Sequence, residues 1–133
     1  MGVTLRLMAV CLAFAVPANA QSPMSASEFE AYTTGKTLYF GQDGMAYGAE
    51  RYLPDRRVQW SFLDGDCKDG FWYEENSQIC FVYEDNLDPQ CWTFFRAPAG
   101  LRAIFENDPE ATTLYEAQQD SKPMLCYGPD VGA

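Results

Sequence analysis

The chain has 133 residues, with 19 acidic side chains against 9 basic ones, no histidine and a net charge of −10. The missing histidine excludes Ser–His–Asp and Cys–His catalysis and every imidazole metal site. The acidic surplus repels phosphate backbones and anionic lipid heads, so nucleic acid and membrane surfaces are poor partners.

Residues 1–20 read as a cleaved signal peptide. Arg6 supplies the positive start, "LMAVCLAFAV" is an apolar run too short to span a bilayer, and "ANA" supplies small residues before a cut after Ala20. Cys11 lies inside the apolar run, and the larger Val10 before it argues against a lipoprotein site. The remaining 113 residues carry 19 acidic and 8 basic side chains, a net charge of −11. They suffice for one domain, 21–133, with a modest core, and no later segment is apolar enough to span a membrane as a helix.

"SASEFEAYTTG" predicts a helix over about 25–34. Ser25 and Glu28 have capping-box spacing, Phe29 and Tyr32 share a face, and Gly35 is a left-handed stop. From there the period is two. "KTLYF" predicts a strand and "GQDG" a turn, and "MAYGAERYL" and "RVQWSFL" predict strands joined by "PDR". In the second of these, Val58, Trp60 and Phe62 alternate with Gln59 and Ser61. "DGDCKDG" reads as a loop. "FWYEE" and "QICFVYE" flank the hairpin signal "NS", and "QCWTFF" follows across "DNLDP". "LRAIFE" fits a strand or a helical turn, "TTLYEA" a strand, and "SKPMLCYG" a surface tail. Seven or so short strands with tight links predict a mainly β fold. The expected form is a small curled antiparallel meander or partly closed barrel, with the helix covering one end or face.

The domain has four cysteines, Cys67, Cys80, Cys91 and Cys126, which in an exported chain of this size predict two disulfides. Four cysteines allow three pairings. A hairpin centred on "DNLDP" places Cys80 opposite Cys91, which leaves Cys67 to meet Cys126 and tie down the tail. No C-x-x-C occurs, so zinc and thioredoxin-like redox chemistry lack their close ligand pair. "DGDCKDGFWYEE" carries Asp64, Asp66, Asp69 and Glu75. A calcium loop needs a donor where Lys68 stands and a glycine one place before Gly70, so solvated carboxylates in a turn fit better. "EDNLDP" has no glycine at all. No metal or other cofactor is expected.

Nineteen aromatic residues belong to the domain. Alternation sets Trp72 opposite Phe71 and Tyr73, and sets Trp92 and Phe94 opposite Cys91 and Phe95. These rings either fill a core or line an apolar place for a ligand. Trp60, Trp72, Trp92 and Phe94 are the candidate ligand-facing side chains.

The segments "MSASEFEAYTTGKTLYF", "QDGMAYGAERYLPDRRVQW" and "GFWYEENSQICFVYED…CWTFF" resemble a family of small exported bacterial proteins of unknown function. That family has a helix ending in Gly-Lys-Thr, a turn like Pro-Asp-Gly, a G-x-W strand and two cysteine-bearing strands. The resemblance covers about residues 24–96. This chain departs from the pattern in "PDRR", which lacks the glycine, and in Cys67 and Cys126, which are additional. The resemblance implies an exported small β-domain and no particular activity.

The expectation is therefore a periplasmic or secreted, disulfide-stabilised binding domain without catalysis. Its partner is a small apolar molecule or a protein. The alternative is a hydrolase that works with carboxylates alone.

Overall fold

Eight strands alternate in direction around the domain: β1 (Thr37–Gln42), β2 (Met45–Tyr52), β3 (Arg57–Ser61), β4 (Lys68–Glu75), β5 (Gln78–Tyr83), β6 (Asn86–Ala97), β7 (Gly100–Phe105) and β8 (Thr113–Asp120). Each pairs antiparallel with the next, and β8 pairs back onto β1, which closes the barrel. The computed structural model describes residues 1–2, 11–15, 21–110 and 112–127. The expected leader cut after Ala20 lies outside the described residues.

The fold is thus mainly β, as expected, and fully closed rather than partly so. Closure leaves no free sheet edge to pair with another chain. "LRAIFE" is strand, adding one to the expected seven.

The connections follow local chemistry. Asn76 and Ser77 both have positive φ, 51° and 61°, as a two-residue hairpin turn between twisted strands requires. "PDR" forms a 3-10 turn, with Asp55 and Arg56 at φ 62° and 58°.

Two turns are shorter than the sequence suggests. Lys68–Gly70, expected in a loop, belong to β4, and Lys68 pairs with Trp60. Asn86–Pro89, also expected in a loop, belong to β6. Tyr83 pairs with Asn86 and Phe81 with Gln90, so the register shifts between them. An irregularity in the ladder absorbs the residues that spacing alone assigns to the turn, and it accommodates Pro89, which has no N–H to donate.

The helix α1 (Ala26–Thr33) starts as its cap predicts: the Glu28 N–H donates to Ser25 Oγ at 3.2 Å. It closes the end of the barrel where β1 begins and β2 ends. The Gly35 N–H donates to the Tyr52 carbonyl at 2.9 Å, and the Met24 N–H donates to the Phe94 carbonyl at 2.8 Å. Phe29 is fully buried as a plug. Its ring lies 4.5 Å from Phe94, 5.1 Å from Trp72 and 5.5 Å from Tyr52, centroid to centroid. Tyr32 fastens the same helix to β8, its hydroxyl donating to Glu116 Oε2 at 2.7 Å.

Disulfides join Cys80 to Cys91 and Cys67 to Cys126. The first bridges directly paired positions of β5 and β6. The second carries the tail from the helix end toward the open end. On its way Thr37 Oγ1 donates to the Lys122 carbonyl at 2.6 Å, and Arg51 donates to the Ser121 carbonyl at 3.0 Å. Two disulfides fit an oxidising compartment. Among the described residues, no helix is long and apolar enough to cross a membrane.

A candidate ligand cavity in the barrel

Side chains on alternate positions of each strand point into the barrel. The half nearest α1 is filled. Toward the other end they leave a cavity of about 300 Å³, lined by Tyr47, Glu50, Trp60, Phe81, Tyr83 and Trp92 among others.

Two inward-facing glycines make the aromatic lining possible. A Cβ on Gly48 of β2 would collide with the Trp60 ring and come within 2.7 Å of the Ser61 carbonyl oxygen. One on Gly70 of β4 would come within 2.8 Å of Tyr83 Cδ1. Each thus lets a neighbouring strand place a large ring where two side chains would not fit. At the mouth Tyr47, Trp60 and Phe62 form a triad, with centroids 5.3 to 5.9 Å apart.

Four aromatic residues stood out in the sequence, and the structure divides them. Trp60 and Trp92 line the cavity. Phe94 lines it too, and also packs on Phe29. Trp72 is inward-facing but lies at the helix end, buried against Phe29 and under the Arg56 guanidinium. Its place is the packed floor.

The polar feature that sequence reasoning missed is Glu50. It lies between Leu38 of β1 and Trp60 of β3, one inward step from Tyr52. Only 2% of it is exposed. The Tyr83 hydroxyl donates to its Oε1 at 2.8 Å, and Oε2 has no hydrogen-bond partner among the described residues. Burial pushes the carboxyl well above its ordinary pKa, and the Tyr83 hydrogen bond opposes this in part. The phenols of Tyr83 and Tyr52 are pushed up as well, by burial first and then by the nearby Glu50. Burial thus favours the protonated form of the acid and of the two phenols on the floor of the cavity.

The charges at the mouth are already paired. Lys68 Nζ lies 3.2 Å from both Asp66 and Asp85. The cavity has two lining carboxylates, Glu50 and Asp85, and they belong to separate groups, one with Tyr83 and one with Lys68.

The acidic side chains of residues 64–75 are spread out. Asp64 Oδ1 accepts from the Asp66 N–H, Asp69 accepts from Gln59, and Glu75 stands at the far end of β4. Among the described residues, no three cysteine, aspartate or glutamate side chains gather as a metal site would require.

No family model, curated protein or solved structure matches this chain.

Proposed function

We propose that this protein is an exported binding protein that holds a small, largely apolar molecule inside its barrel. The observation that carries the reading is the cavity with Glu50 on its floor. Closed eight-stranded barrels have an interior that side chains either fill or leave just wide enough for one small ligand. Here they leave about 300 Å³, at the small end of ligand sites. Filling that space with apolar side chains would stabilise the fold. Retaining a buried, half-satisfied acid beside it instead costs stability, which is the signature of a site kept for recognition. A leader-like start and two disulfides support placement in the periplasm or outside the cell.

The test is titration of the native protein with N-phenyl-1-naphthylamine, an uncharged dye that fluoresces in apolar surroundings. Saturable uptake of one dye per chain, with quenching of tryptophan emission from Trp60 and Trp92, is the expected result. Fluorescence that rises only on unfolding would show a solid core and overturn the proposal. Export is tested separately, by sequencing the N-terminus of the mature protein, which is expected to begin at Gln21.

A further inference from the structure

We infer that the ligand is a small arylalkyl amine, whose ammonium group pairs with the Glu50 carboxylate while its ring rests among Trp60, Tyr47 and Phe62. The inference rests on the reading of the cavity as a ligand site and adds the chemical class of the occupant.

Three observations favour a cation. Among the described residues, Glu50 on this buried floor keeps one carboxyl oxygen without a hydrogen bond. Tyr83 provides a hydrogen bond to Oε1, but among the described residues no hydrogen bond reaches Oε2. The lining does contain Lys68, but Asp66 and Asp85 already hold that cation at the mouth. The walls are aromatic, and ring faces attract cations as well as stacking on rings. The chain as a whole is strongly acidic, which draws cations toward it.

The groups that share the cavity with Glu50 are few. Tyr52 adjoins it on β2, Tyr83 faces it from β5, and Tyr47 lies nearer the mouth, where Lys68 of β4 and Asp85 of the β5–β6 turn form their own pair. Burial favours the protonated form of Glu50 before binding. Arrival of an ammonium stabilises the carboxylate, so the carboxyl O–H bond breaks and its proton leaves to the buffer. The amine keeps its own proton throughout. Binding therefore strengthens as pH rises, until the free amine itself deprotonates.

A ligand with only a hydrogen-bond acceptor, such as a carbonyl compound, makes the opposite demand. It needs the Glu50 proton in place, releases none and weakens as pH rises. The two classes are thus separable in one experiment.

Phenethylamine and its uncharged counterpart, 2-phenylethanol, are titrated calorimetrically into wild type and Glu50→Gln. Wild-type runs use two buffers of different ionisation enthalpy, so that proton release can be read directly. Uptake of the neutral naphthylamine dye by Glu50→Gln establishes that the variant keeps its cavity. The expected result is roughly 10-fold or tighter binding of the amine over the alcohol, with proton release. That preference should vanish in Glu50→Gln while dye uptake persists. If the variant does not fold, proton release by wild type on binding the amine decides the matter alone. Equal binding of amine and alcohol, or amine binding without proton release, overturns the inference. Dye uptake with neither phenethyl compound bound also overturns it, and leaves the binding-protein reading standing. Failure of the dye as well overturns both.

Discussion

Glu50 shows how much a single position decides here. Its neighbours on β2 include Gly48, which gives way to Trp60, and Tyr52, which packs under Phe29. Between them the acid enters the apolar interior with one hydrogen bond. This has a consequence for stability against pH. The folded pKa of Glu50 is raised, chiefly by burial, above the ordinary value of 4.5. As pH rises through that ordinary value, the unfolded chain loses its proton while the folded chain keeps it. Stability therefore falls with pH, by up to about 1.4 kcal/mol per unit, and levels off once the folded group also ionises. Glu50→Gln has no such proton to keep. Urea midpoints from pH 4 to 8 should fall more steeply in wild type than in the variant, and parallel curves would show that Glu50 ionises as freely folded as unfolded.

At the scale of elements, the helix matters more than its eight residues suggest. An isolated helix of that length is marginal in water. Ser25 caps it, Tyr32 ties it to Glu116, and Phe29 gives it a reason to dock. The Tyr32 phenol is pushed up to about 12, by burial first and then by its hydrogen bond to Glu116, so it stays a donor across the ordinary pH range. Phe29 touches inward residues of several strands, so its ring both closes the barrel end and fixes the cavity floor. Phe29→Ala is expected to cost about 3–5 kcal/mol in urea unfolding, because the space it leaves is walled by the barrel and cannot collapse. A loss below about 1 kcal/mol would mean that the helix is a loose appendage.

At the scale of the molecule, closure and cross-linking act together. The barrel satisfies its own strand edges, while the disulfides restrict the unfolded chain. The Cys67–Cys126 bridge spans 59 residues of sequence and the Cys80–Cys91 bridge 11. By chain entropy the first stabilises by about 4 kcal/mol and the second by about 3. Paired serine substitutions, one bridge at a time, should therefore lower the urea-unfolding free energy more for the tail bridge than for the hairpin bridge. The reverse order would show that the short bridge holds native geometry beyond its effect on the unfolded chain.

Local chemistry carried much of this protein. Period-two alternation over "RVQWSFL" and "QCWTFF", the "NS" hairpin and the capping box at Ser25 each act through neighbouring residues, so strands, turns and helix are legible from the chain alone. The four domain cysteines and the hairpin around Cys80 and Cys91 are legible for the same reason. Closure is not, because pairing of β8 with β1 joins the two ends of the sheet, and it depends on tilt and register summed over eight strands. The cavity is not legible either. Trp60 and Trp72 both face inward, yet only their heights along the barrel place one at the ligand space and the other under Phe29. Glu50 escaped notice because "MAYGAERY" carries a charge in each phase, Glu50 in one and Arg51 in the other. Alternation separates the two faces of a strand, but only the closed barrel decides which face is the inside.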